Sequence, residues 1–280
     1  MVQPEGTYWD FLPTNGRLRY LDKKKVAAGS VFCIEEDPIL FRKGYHASIR
    51  AIDALKYSRG ATVSLVTLGG IVLHDQDTKI PEISVAQERT VLWLYSAGHL
   101  LREFACDVAE ESLLAERSVG REPDPRCFTA VGLMREFMAS NVRKTEWGSE
   151  WNAVRELANE VAWNAEENME WDDLKYPWKR DLWRASEIAG KSGISDTARS
   201  AAVYATEFSP WVAAKWVAYS AEGSASWVAA TKSPENAPAS AGWYEAGDAT
   251  RTALNEVLTD ALLAAMAREE GKFAPSVRKG

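Results

Sequence analysis

The chain is poor in histidine and cysteine and has no excess of positive charge. Its 280 residues include three His (His46, His74, His99), all within the first hundred positions, and three Cys (Cys33, Cys106, Cys127). The cysteines are far apart, odd in number and never spaced C-x-x-C. That excludes a zinc ribbon or thioredoxin-like motif and fits a reducing compartment. Lys and Arg number 33 against 40 Asp and Glu, for a formal net charge of −7 and a sequence pI near 5.2. Nucleic acid is therefore disfavoured as a partner, because displacing phosphate counterions requires a basic footprint. No apolar run approaches the roughly 20 residues needed to cross a bilayer. The opening Met1-Val2-Gln3-Pro4-Glu5-Gly6-Thr7 lacks the basic start and apolar stretch of a secretory signal. The expectation is a cytoplasmic protein with no membrane contact. G-x-S-x-G, a phosphate-cradling Gly-rich loop and H-E-x-x-H are all missing, and Gly69-Gly70 lacks the spacing of a dinucleotide fingerprint. No cofactor and no metal is expected.

What is present is uneven. Of twelve Trp, ten fall between Trp147 and Trp243, which separates a mixed N-terminal region from a helical C-terminal one. In the first region, 7–12 and 17–21 are short aromatic runs flanking the turn signal Pro13-Thr14-Asn15-Gly16. Residues 31–34 form a strand candidate, closed by Glu35-Glu36-Asp37-Pro38, and 39–41 form a shorter one. Ser48 is placed to cap a helix running to about Ser58, stopped by Arg59-Gly60. Alternation over 62–68, a Gly69-Gly70 bulge and 71–73 predict a long interrupted strand, and 89–95 another. From Ala97 the period becomes helical, with Leu100, Leu101, Phe104, Val108 and Leu113 on one side. A linker with Pro123 and Pro125 leads to a helix over 128–140. Further helices follow at about 146–170, 178–190, 195–208, 210–231 and 245–271, with prolines and glycines at the breaks.

The fold class is α+β. A small mixed or antiparallel β-sheet domain with one or two helices spans 1–118. An all-α Trp- and Ala-rich bundle or short helical array spans 126–280, where flat rings beside Ala let helices approach closely.

Two places could carry function. At Arg42-Lys43-Gly44-Tyr45-His46-Ala47-Ser48, a turn at Gly44 would present Tyr45 and His46 to a cleft, His46 serving as general base or orienting donor; the alternative is a histidine that holds the sheet-to-helix turn. His74 beside Asp75 and Asp77 has no second cluster to complete a ligand set, and His99 reads as structural or surface. The other place is acidic. Nine carboxylates stand between Glu146 and Asp173 against one cation, Arg155. Trp147, Trp151 and Trp163 run through it with Glu156, Glu160, Glu166, Glu167 and Glu170. These residues form a candidate docking face for a protein partner, with a basic one favoured, or else an ordinary solvated helix face.

The residues Trp9-x-Phe11-Leu12, Gly44-Tyr45-His46-Ala47-Ser48, Asp53-Ala54-Leu55-x-Tyr57, Gly70-Ile71-Val72 and Arg89-Thr90-Val91-Leu92-Trp93 resemble a bacteriophage and bacterial family. Its members have a small Gly-x-His-Ala-containing domain followed by Ala/Trp-rich helical repeats. The resemblance covers roughly residues 7–112 and implies an accessory or host-interaction role in a bacterial cytoplasm, with no established activity attached. Gly44-Tyr45, Ala54, Tyr57 and 63–66 also resemble the order of elements in ADP-ribosyltransferase-like folds, which implies Glu88 as a catalytic carboxylate. The leading expectation is a non-catalytic interaction protein docking a macromolecule through its acidic Trp-rich helical domain. The alternatives are a nucleotide-handling or ADP-ribosyl-transferring enzyme centred on Tyr45 and His46, and a self-associating virion or assembly component.

Overall fold

The computed structural model describes residues 2–18, 24–75, 81–120, 122–139, 198–207, 209–232 and 239–273. The architecture is α+β, an antiparallel sheet followed by helices. The chain divides into two compact units, Met1–Leu100 with Leu254–Gly280 in one and Leu101–Ala253 in the other. The linker expected near 120–125 thus falls inside the second unit.

In the first unit, strands β4 (Thr62–His74) and β5 (Ser84–Ser96) pair along most of their length. β1 (Thr7–Leu12) adds to β4, and β2 (Val31–Cys33) and β3 (Tyr45–Ala47) both add to β5, every pairing antiparallel. β1 takes β4 as its strand partner, and of the second aromatic run, 17–21, Arg17 and Leu18 lie within the described residues. Arg17 bridges Lys25, and the outer edge of β1 meets the chain just after β3. There the Trp9 N–H donates to the Ser48 carbonyl at 2.7 Å and the Ser48 N–H to the Trp9 carbonyl at 2.9 Å, curling the sheet toward closure. Closure of this kind satisfies edge groups that an open sheet leaves bare. Gly70, with φ at +67°, sits in the bulge where the β4–β5 register shifts between Gly69 and Val72.

Leu12, Leu18, Val26, Phe32, Tyr45, Ala47, Val66 and Val91 form one buried cluster in this unit. Trp9, Phe11, Val63 and Leu65, on the alternating positions, are buried as well, so the central strands are covered on both faces. The helix α1 (Ala51–Lys56) packs on β1. Its N-cap is Arg50, without a side-chain cap, and Ser48 is spent on the bridge to Trp9. The last helix of the chain also contributes. From Leu254 onward it buries Leu254, Leu258, Leu262 and Leu263 in this unit, each of about 2 kcal/mol by area. Its Asn255 side chain accepts from the Ile52 N–H at 3.3 Å, and Glu269 accepts from the Trp93 indole at 3.1 Å.

The second unit takes in α2 (Gly98–Ser118) from Leu101 onward; Leu100, Leu101, Phe104, Val108 and Leu113 of this helix are all buried. Helix α3 (Pro125–Ala139) starts three residues earlier than periodicity alone suggests. Asp124 caps it, its Oδ1 accepting from the Arg126 N–H at 2.9 Å, and Pro125 occupies the first turn where a missing N–H costs nothing. Residues 198–205 form α4, then come α5 (Pro210–Lys232) and α6 (Ala239–Phe273). Along α5 the buried side is small: Ala213, Ala214, Val217, Ala218, Ala221 and Ser224 recur at helical spacing.

Candidate functional site

The Gly44–Ser48 motif is built from β5 outward. Tyr45 lies opposite Ala86, His46 opposite Val85 and Ala47 opposite Ser84, so the motif is a strand and not the sheet-to-helix turn its sequence suggests. Gly44 holds φ at +108°, and a Cβ there would lie 2.7 Å from Val85 Cγ2 and 2.9 Å from the Ala86 carbonyl oxygen. Only glycine lets the backbone reach β5 so closely. Just before it, Phe41 adopts a positive φ of 61° and aims its N–H at His46 Nε2, 2.8 Å away. That nitrogen therefore accepts a hydrogen bond, which assigns the ring proton to Nδ1. The lone pair that a general base would use is engaged by backbone.

Beside the motif is a cavity of about 80 Å³, lined by Tyr45, His46, Ser48 and Tyr57 and floored by Trp9 and Phe11. Its charged lining is Asp10 and Arg89. Arg89 is only 2% exposed. Its guanidinium donates to Asp10 Oδ2 at 2.7 Å and to Ser64 Oγ at 2.8 Å, while Nε is buried with no hydrogen-bond partner among the described residues. Tyr45 itself is mainly a core residue, packed against Phe32 with ring centroids 6.0 Å apart. The structure thus brings Tyr45 and His46 to one cavity and adds Arg89 and Asp10, which the sequence does not single out. Their signal is slight: Asp10 is the one charged residue of β1, and Arg89 is one of two adjacent charged residues in β5.

Glu88 goes elsewhere. It is exposed, paired in register with Cys33 and Gly69, and successive residues in a strand point to opposite faces, so it does not join Arg89 at the cavity. His74 Nδ1 lies 2.8 Å from Ser84 Oγ, and His99 is exposed at the start of α2. Among the described residues no cluster of His, Cys, Asp and Glu could hold a metal ion. Trp147, Trp151, Glu156, Glu160, Trp163, Glu166, Glu167 and Glu170 lie outside the described residues. No helix among the described residues is long and apolar enough to cross a membrane.

A second concavity lies in the helical unit, and it is aromatic. Ser226 Oγ on α5 donates to the Trp243 carbonyl on α6 at 2.9 Å, and a Cβ on Gly247 would sit 3.0 Å from Ser226 Oγ. Small residues therefore hold α5 and the first half of α6 close, and the large side chains stand around the crossing. Trp227 meets Trp243 edge to face at 4.3 Å and 87°, and Trp216 meets Tyr219 at 5.9 Å and 87°. Tyr204 from α4 stacks on Trp216 at 5.8 Å, while Lys215 Nζ lies 5.6 Å from the Trp216 centroid and 5.2 Å from that of Trp211. Tyr204, Trp216, Tyr219, Trp227, Trp243 and Tyr244 line a groove of about 490 Å³. Tyr219 is 67% and Tyr244 71% exposed. The groove's charged lining residues are Glu222 and Asp248, and no Lys or Arg is among the described residues lining it. The sequence shows the recurrence of Trp beside Ala but not the convergence of rings from three helices.

No protein-family model, no curated protein and no solved structure significantly matches this chain.

Proposed function

We propose that the chain is a non-catalytic interaction protein whose helical unit docks a basic macromolecular partner. The observation that supports this is the groove, which has six aromatic rings, two carboxylates and no lining cation among the described residues. A cation seated over such rings gains about 0.5–2 kcal/mol, more as water is excluded. The carboxylates add attraction and steer encounter. The acidic stretch between Glu146 and Asp173 supplies further negative charge to the same chain. The N-terminal resemblance to a bacteriophage family agrees with such a role in a bacterial host cytoplasm. Calorimetric titration with short cationic peptides at low and high salt tests it. Saturable binding that weakens with salt is expected, and no binding at low salt would refute it.

A second reading is that the N-terminal unit binds a small molecule beside Tyr45 and His46, where the cavity of about 80 Å³ has room for one small group of a ligand such as a nucleotide. With His46 Nε2 engaged by the Phe41 N–H, binding is better supported than proton abstraction. A thermal-shift screen against NAD, ADP-ribose and cyclic nucleotides checks this, because a ligand of the native state raises its apparent stability. A shift that disappears in His46→Ala supports the reading. No shift with any of these compounds would set it aside.

A further inference from the structure

We infer that the aromatic groove of the helical unit is an arginine-binding site, taking guanidinium groups from a partner protein. This rests on the docking reading above and names the chemistry of the partner.

Charge complementarity favours a cation. Glu222 and Asp248 are the charged side chains among the described residues lining the groove, and Lys215 already lies against one of its rings, Trp216, so the lining favours a cation over the phosphates of a nucleic acid. Hydration and shape favour arginine over lysine. An ammonium is compact and strongly hydrated, and it gives up much of that hydration to lie on a ring. A guanidinium is flat and weakly hydrated, stacks on aromatic faces, and carries paired N–H donors that match a carboxylate. The groove offers both halves of that recognition. Trp227 and Trp243 pack edge to face with centroids 4.3 Å apart, so the pair forms a corner of two ring planes at right angles against which a flat group can lie. Tyr244 is largely exposed, one residue along from Trp243 and one helical turn before Asp248, which puts a free ring face and a carboxylate on the same side of α6.

One ring is already used. Lys215 and Tyr204 both lie against Trp216, which leaves Tyr219, Trp227, Trp243 and Tyr244 as the stacking surface. At about 490 Å³ the groove is the size of a site for a drug-sized ligand, so it holds a short peptide segment and not a single side chain.

The experiment compares two peptides of equal length and charge, one of arginine and one of lysine, titrated into the full chain. Far-UV circular dichroism and thermal melts accompany each variant to establish folding. Asp248→Asn and Tyr244→Ser alter exposed groups and leave the core untouched, and Tyr244→Phe keeps the ring. The arginine peptide should bind at least about tenfold more tightly than the lysine peptide. Asp248→Asn and Tyr244→Ser should each weaken it by about fivefold or more, with Tyr244→Phe restoring most of the loss. Equal binding of the two peptides would overturn arginine selectivity while leaving the docking reading standing. Binding of neither would overturn both. Tight arginine binding that ignores both variants would place the peptide elsewhere and overturn the site. Light scattering is the last arm: self-association that Tyr244→Ser abolishes would make a second copy of the chain the occupant, against the inference.

Discussion

Asp10→Asn should destabilise the N-terminal unit out of proportion to the single atom it exchanges. The Arg89 guanidinium is buried, and its compensating charge is Asp10, 2.7 Å from Nη1; Ser64 supplies a neutral acceptor at 2.8 Å. An asparagine keeps the shape and one acceptor oxygen but leaves the cation uncompensated. Breaking a buried pair this way costs about 3–5 kcal/mol. Asp10 is about one-fifth exposed, so the lower end applies, about 3 kcal/mol. Against a total stability of about 5–15 kcal/mol that is a large loss. With a urea dependence of about 1–3 kcal/mol per molar, the unfolding midpoint should fall by about 1–3 M. Because the chain has two units, the readout should belong to this one, and amide hydrogen exchange in β1 and β5 provides it. The decisive comparison is the double variant Asp10→Asn with Arg89→Met. Removing both charges should recover much of the stability, because the penalty comes from the unpaired guanidinium. A double variant less stable than Asp10→Asn alone, or a single-variant shift below about 0.5 M, would refute the reasoning.

Other outcomes follow from the same geometry. Gly44→Ala should cost about 2–3 kcal/mol, read as a lower thermal midpoint, since the new Cβ meets Val85 and the Ala86 carbonyl at a backbone angle alanine avoids. Burial pushes the Cys106 thiol up to about 11 and the Cys127 thiol up to about 12, while Cys33 is exposed. Thiol titration of native protein at mildly alkaline pH should therefore count one reactive cysteine, and denatured protein three. Both buried thiols hold their protons longer folded than unfolded, so their contribution is fully present below the ordinary value of 9.0 and is lost as pH rises toward 11–12. A urea midpoint measured across that range should decline. Asp124→Ala should remove about 1 kcal/mol of capping from α3. The Arg126 hydrogen bond holds the Asp124 carboxyl below its usual range, so that support is present above the ordinary carboxylate pKa and fades as pH falls through the lowered one. Equal acid sensitivity of wild type and Asp124→Ala would count against it.

Much of the local structure is written in the chain. Alternation marks β4 and β5, the Gly69-Gly70 pair marks their bulge, and the apolar stripe from Leu100 to Leu113 is the buried side of α2. Asp124-Pro125 is a helix start readable from two letters, although periodicity alone begins the helix at Phe128. Ser48 shows the limit of such reading. A serine before an apolar run suits a helix cap, but here its backbone pairs with Trp9, some forty residues earlier, and that pairing outweighs the local preference. Glu88 and Arg89 show the same limit on a finer scale. They are neighbours in sequence, yet the pleat sends one to solvent and the other beside Asp10, and only the register of β5 decides which.

The sequence by itself determined the α+β class, the strands and helices with strong periodicity, the position of the glycine-histidine motif and the concentration of rings and acids toward the C-terminal side. These depend on interactions within a few residues, where spacing and side-chain type suffice. The tertiary structure alone decided the Trp9–Ser48 pairing, the joining of residues from Leu254 onward to the sheet, the burial of Arg89 beside Asp10 and the meeting of Tyr204, Trp227 and Tyr244 around one groove. Each of these depends on contacts between residues far apart in the chain, whose formation reflects the packing of whole elements and leaves no local pattern to read.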